Sequence, residues 1–225
     1  MDRLCEALPA QFASMTDFDV DSVMELQRGL ERAIPDGLLD AIASETEARM
    51  EPGARKYGVS ALLMGEMGYY SPSLLLDSLC ANVRRGRLLK KAPASPAFVY
   101  DFDRGGNLSR VVNNDLHTTT YVVHHASAGV CISISDIDKD VLSAILWLKD
   151  NLGRTSRWIQ FRWYCRMKIA CGMEAELFEY TDEGNTCTAL SGIRDGQGAL
   201  LGLARNEYRF ELNPRGKVSL LERME

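Results

Sequence analysis

Only three histidines occur in this 225-residue chain, and their placement excludes a histidine chelate. His124 and His125 are adjacent, so in a strand they point to opposite faces. His117 and His125 share a face but lie more than about 20 Å apart along an extended strand. A zinc site would need cysteines or carboxylates from elsewhere in the chain. The six cysteines, Cys5, Cys80, Cys131, Cys165, Cys171 and Cys187, form no CxxC pair and are scattered. They read as reduced, small buried hydrophobes, neither a disulfide framework nor a metal cradle.

Catalytic signatures are absent too: the chain holds no GxSxG, HExxH, Walker or GxGxxG pattern. "GIRDGQG", Gly192 to Gly198, lacks the Lys-Ser/Thr ending that cradles phosphate and reads as a mobile loop between strands. "SDIDKD" places Asp136, Asp138 and Asp140 at alternate positions, as a calcium loop would. That loop needs Gly sixth and Glu twelfth, where this chain has Val141 and Trp147. No cofactor and no metal are predicted. The start, "MDRLCEALPAQF", has no basic segment leading into an apolar one, and no apolar run is long enough to span a bilayer. The expectation is a cytoplasmic protein without a membrane partner.

What is present is ordinary for a globular chain: 46% hydrophobic and 25% charged residues. The net charge of −5 suits a basic partner surface, and nucleic-acid binding would need a local basic patch.

The first ninety residues read as helical. Val20, Val23, Met24, Leu30 and Ile34 fall mostly at helical spacing, Pro35 interrupts, and a second run ends near Met50. "EPG" at 51–53 is a break, with a further segment from Val59 to Met67. "SPSLLLDSLCANVRRG" then supplies a capping Ser71, Pro72 in the first turn, a Leu75, Leu76, Leu79, Val83 stripe and a terminating Gly86. Residues 91–97 form a Pro/Ala-rich connector, leaving 98–225 as a β-rich domain. Its candidate strands are 97–103, 107–113, 116–124, 129–135, 157–169, 173–180, 185–191, 204–212 and 216–222. One intervening helix is predicted at about 137–150, with Asp136 at its acidic start. Short turns between strands predict antiparallel pairing. The fold class is therefore α+β, a helical N-terminal part beside an antiparallel meander.

Between Arg157 and Ile169 the odd positions are uniformly apolar and the even ones are Trp158, Gln160, Arg162, Tyr164, Arg166 and Lys168. This predicts a strand with one buried face. With a loop at Ala170-Cys171-Gly172, Lys168 would face Glu174, Arg166 would face Glu176 and Tyr164 would face Phe178. The even face mixes bases with aromatics, as a single-stranded nucleic-acid platform does, but the facing glutamates cancel its charge. A second basic cluster, "RRGRLLKK" from Arg84 to Lys91, includes Arg85 and Arg87 and would complement a helix C-terminus or contact phosphate. The candidate binding surface thus comprises Arg84, Arg85 and Arg87 with Trp158, Arg162, Tyr164 and Arg166.

"YDFDRGGNLSR", from Tyr100 to Arg110, has looser echoes at Phe178 and Tyr208. Each places two aromatics on one strand face ahead of a turn holding Gly106, Gly184 or Gly216. The first copy resembles the YD-type repeats of large bacterial toxin shells, over short stretches of irregular spacing. That resemblance implies a toxin neighbourhood, where small acidic immunity proteins occur. The expected function is a non-catalytic protein-binding module, in its sharpest form an immunity-type protein. Two alternatives stand beside it: an enzyme of unrecognised type with an acidic or cysteine-containing pocket, and a nucleic-acid binder using Arg84–Lys91 or the 157–168 strand.

Overall fold

The computed structural model describes residues 2–15, 18–59, 67–79, 86–164, 169–195, 197–214 and 216–224. Three helices, α1 (Asp2–Ser14), α2 (Val20–Ala33) and α3 (Leu39–Arg49), precede the main sheet. Asp19 accepts a hydrogen bond from the Ser22 N–H at 2.7 Å and so caps α2. Val23, Leu26, Leu30 and Ala33 form the buried stripe of α2. The chain turns between α2 and α3 at Ile34–Leu38, where Pro35 cannot continue the ladder and Gly37 adopts φ 98°.

Twelve strands among the described residues form one antiparallel sheet. They are β1 (Met50–Val59), β2 (Arg87–Leu89), β3 (Phe98–Asp103), β4 (Leu108–Asn113), β5 (Thr118–His124) and β6 (Ala128–Ser135), then β7 (Val141–Lys149), β8 (Thr155–Tyr164), β9 (Ile169–Thr181), β10 (Gly184–Arg194), β11 (Leu200–Leu212) and β12 (Val218–Arg223). From β3 to β12 each strand pairs with the next, and β1 joins the other side of β3 with β2 beyond it. This is the expected α+β meander, and each of the nine expected strands has its counterpart. A short α4 (Leu76–Leu79) lies between β1 and β2.

Both faces of the central strands are covered. Ile132, Leu146, Ile159, Phe161 and Ala175 pack with the N-terminal helices in one core. Cys131, Ile145, Trp147, Trp158 and Phe178 alternate with them on the opposite face, in a second core with Met67, Leu75, Tyr100 and Phe210. Burying a side chain of Leu or Phe size contributes roughly 1.5–3 kcal/mol, so each core supplies stabilisation the other cannot replace. Polar contacts also tie helices to sheet: Glu31 Oε1 accepts from Trp163 Nε1 at 3.2 Å, and Arg194 Nη2 donates to Gln27 Oε1 at 2.8 Å.

Three expectations are corrected. The helix expected at 137–150 is strand β7, preceded by a turn in which Lys139 adopts φ 63°. A strand buried on both faces reads as a continuous apolar run, which periodicity cannot separate from a buried helix. The helical reading of residues 1–90 fails at β1 and β2. "EPG" interrupts the β1–β3 register between Met50 and Arg55, with Gly53 at φ 90°, so the break is an irregularity within a strand. In the segment expected to be a helix from Ser71, only Leu76–Leu79 is helical among the described residues, and 80–85 lie outside them.

The third correction concerns β8 and β9. Trp158 lies opposite Glu176 and Gln160 opposite Glu174, where Arg166 and Lys168 were expected, a register eight residues away along β8. Gly172 is a strand residue opposite Arg162, so it does not make the turn. The alternation fixed which residues share a face, and the even shift preserves those faces.

Candidate functional site

The face opposite the helices carries the aromatic pairs. Tyr100 and Phe102, Phe178 and Tyr180, and Tyr208 and Phe210 all join the core on this side. Phe178 meets Phe210 edge-on at 5.9 Å, and Tyr70 meets Tyr100 edge-on at 5.0 Å. Gly106, Gly184 and Gly216 all have positive φ, as their turns require. "YDFDRGGNLSR" is hairpin β3–β4. Its turn is closed by Asp103, whose Oδ1 accepts from the Asn107 N–H at 2.8 Å. Burial would raise the Asp103 pKa, but the Asn107 hydrogen bonds outweigh it and hold the carboxyl below its usual range.

Residues 67–79 lie over this face. The Tyr100 hydroxyl accepts from the Tyr69 N–H at 3.0 Å, and burial pushes its pKa up to about 12. The Cys131 thiol donates to Met67 Sδ at 3.6 Å. Ser73 Oγ donates to Glu176 Oε1 at 2.6 Å, while Trp158 Nε1 donates to Glu176 Oε2 at 2.8 Å. Glu176, only 5% exposed, is thus held between a strand partner and the covering segment.

Beside this contact lies a cavity of about 490 Å³, within the usual range for ligand sites. Trp158, Gln160 and Arg162 of β8 and Glu174 and Glu176 of β9 contribute to its lining, with Asn206 and Tyr208 of β11. Arg162 Nη1 pairs with Glu174 Oε1 at 3.1 Å, and its Nη2 donates to Gln160 Oε1 at 2.9 Å. Nearby, burial and then the Glu176 carboxylate drive the Cys187 thiol pKa far up, which makes it a poor nucleophile.

The structure places the expected surface residues unequally. Trp158 and Arg162 come together in the cavity wall, but the Trp158 indole is buried and cannot serve as a stacking platform for a base. Arg87 is exposed at the start of β2, on the sheet edge. Tyr164 ends β8. Arg84, Arg85, Arg166 and Lys168 lie outside the described residues. Glu176 and Ser73 were missed as site residues, because they meet only across 103 positions of chain.

A second feature is the outer edge of β11. Its ladder with β10 runs from Leu200 to Phe210, whereas β12 covers only Tyr208–Leu212. Glu207 O accepts from the Met224 N–H at 2.8 Å, so Glu207 faces the β12 side. By strand alternation, Arg205 and Leu203 aim their N–H and C=O groups the same way. They meet no backbone partner on that side among the described residues. Ile193, Leu201, Leu220 and Met224, at 51%, 65%, 41% and 39% exposure, gather on β10–β12 and just beyond β12.

Among the described residues no group of three or more His, Cys, Asp or Glu side chains could hold a metal ion, and no helix is long and apolar enough to cross a membrane. No known protein family matches the chain, and no curated protein matches it in sequence.

Proposed function

We propose that the protein acts by binding a protein partner, with the open edge of β11 as its docking strand. The supporting observation is the unequal cover of β11. The outward backbone groups of Leu203 and Arg205 form a template on which an extended segment adds as a further strand. The exposed apolar side chains around that edge supply area for the same contact. The sharpest form of the reading is an immunity-type protein that neutralises a toxin. It is supported by the resemblance of Tyr100–Arg110 to YD-type toxin repeats and by the net charge of −5, which suits a basic partner.

The test is capture of the partner from the native cell, then reconstitution from the two purified proteins with affinity measured by calorimetry. A stoichiometric complex is expected. Leu203→Pro deletes an outward N–H without removing a bond to β10, and should weaken the complex at least about tenfold. Leu201→Lys places a charge on the edge and should act in the same direction while leaving the fold intact. Absence of any stoichiometric protein complex, or unchanged affinity in both variants, would overturn the reading.

A further inference from the structure

We infer that the cavity beside residues 67–79 is a binding site for a small neutral polyhydroxyl ligand, a mono- or disaccharide. The first argument is how strand register builds the wall. Gln160, Glu174 and Ser191 are cross-strand partners in one row, and Trp158, Glu176, Ala189 and Asn206 form another. By strand alternation both rows lie on the face opposite the helices, and every residue in them lines the cavity. The row beyond them, Phe178, Cys187 and Tyr208, is apolar apart from the tyrosine hydroxyl, which is also at the cavity. Polar side chains on this part of the sheet are thus gathered around one space.

The second argument is which groups are already committed. The ionic side chains of the described lining, Arg162, Glu174 and Glu176, are all engaged within the protein. Arg162 pairs with Glu174 and donates to Gln160, while Glu176 accepts from Ser73 and Trp158. A charged ligand would have to displace one of these contacts to be matched. The uncommitted groups are neutral. Ser191 Oγ and the Tyr208 hydroxyl make no hydrogen bond within the protein, and Asn206 is held only through Oδ1, by Arg223 Nη2 at 2.6 Å. An apolar ligand would strip water from these groups without replacing it. Sugar hydroxyls both donate and accept, as Ser191 and Tyr208 do, and the Asn206 Nδ2 supplies further donors.

The third argument is the apolar remainder of the lining. Met67 and Leu76 of the covering segment and Ile145 of β7 complete it. The site is therefore two-sided, hydrogen-bonding along β10 and β11 and apolar beneath residues 67–76. A sugar ring is two-sided in the same way, with carbon-bound hydrogens on its face and hydroxyls around its rim. The volume of about 490 Å³ suits one or two such rings.

The purified protein is titrated with glucose, galactose, N-acetylglucosamine, maltose and cellobiose, with agmatine, inorganic phosphate and toluene as cationic, anionic and apolar counter-probes. Indole N–H resonances report binding, because the Trp158 indole is part of the wall. At least one sugar is expected to saturate with a Kd below about 10 mM, and no counter-probe should saturate. Ser191→Ala and Tyr208→Phe each remove one uncommitted hydroxyl and no bond within the protein. Each should weaken the sugar about three- to tenfold at an unchanged melting temperature. Saturation by no sugar, saturation by a counter-probe instead, or indifference of the affinity to both variants would overturn the inference. The titration needs no protein partner, so its outcome and that of the β11 test are read separately.

Discussion

Asp101 lies directly across the β3–β4 ladder from Arg110, and its carboxylate is shared between two arginines. Oδ2 accepts from Arg110 Nε at 3.0 Å and Nη2 at 2.8 Å, while Oδ1 accepts from Arg55 Nε at 2.6 Å. The Arg55 pKa is raised, first by that hydrogen bond. Asp101 is 5% exposed and is therefore an internal clamp joining β1, β3 and β4. Asp101→Ala should cost about 1–3 kcal/mol in denaturant unfolding, below the full price of a broken buried pair, because Arg55 is half exposed to water. An unchanged midpoint would show that the clamp contributes nothing.

Gly129 lies opposite Trp147 in the β6–β7 ladder, and a Cβ added there would sit 2.0 Å from the indole. The Trp147 ring occupies the space a side chain would take, and His124 packs edge-on against it at 5.4 Å. Gly129→Ala should destabilise by about 1–3 kcal/mol, since the ring must leave its rotamer or the strands must part. The double variant Gly129→Ala with Trp147→Leu should recover part of that loss. Thermal unfolding of the two variants tests the relation.

Ser73 is one polar latch between the 67–79 segment and the sheet, beside the Tyr69 N–H bond to the Tyr100 hydroxyl. Ser73→Ala leaves Glu176 Oε1 without that donor in a buried setting, a loss of about 1–3 kcal/mol. Hydrogen exchange should show faster exchange in residues 67–79 than in β8 and β9, because the sheet keeps its own ladder. Equal acceleration throughout would mean that the segment and the sheet open together.

His124 should make stability fall on mild acidification. Its pKa is lowered from 6.5, first by burial and further by Lys149 and His125, against the Leu108 carbonyl and Asp103. The unfolded chain then takes up the proton at higher pH than the folded one. Stability is therefore full above about pH 6.5 and declines as pH drops through the window below it. Asp103 and Asp150, whose pKa values are held below the ordinary 3.8, act in a more acidic window. Melting temperature against pH should lose its slope in the window just below about pH 6.5 in His124→Gln.

Much of the sheet was legible because pattern and turn chemistry agree. Aromatic pairs followed by Gly106, Gly184 and Gly216 mark hairpins, and the alternation through Ile159, Phe161 and Trp163 correctly gave the face that meets the helices. The expectation that only one face of β8 is buried did not hold. Trp158 and Gln160 are as enclosed as the odd positions, since residues 67–79 and the aromatic core cover them. Nothing local to Asp101 marks its role, because the two arginines that converge on it come from different strands.

The sequence by itself determined the α+β class, the antiparallel pairing of strands joined by short turns, the positive-φ turns and which side chains share a face. Those properties depend on neighbours a few residues apart. Only the tertiary structure decided that Val141–Lys149 is a strand, that β1 returns to pair with β3, and that Trp158 rather than Arg166 faces Glu176. It also decided the cavity and the open edge of β11. Each depends on which surfaces become covered from a distance: apolar runs do not say whether their cover comes from one side or two, and a strand does not carry in its own residues how much of its edge a neighbour will leave bare.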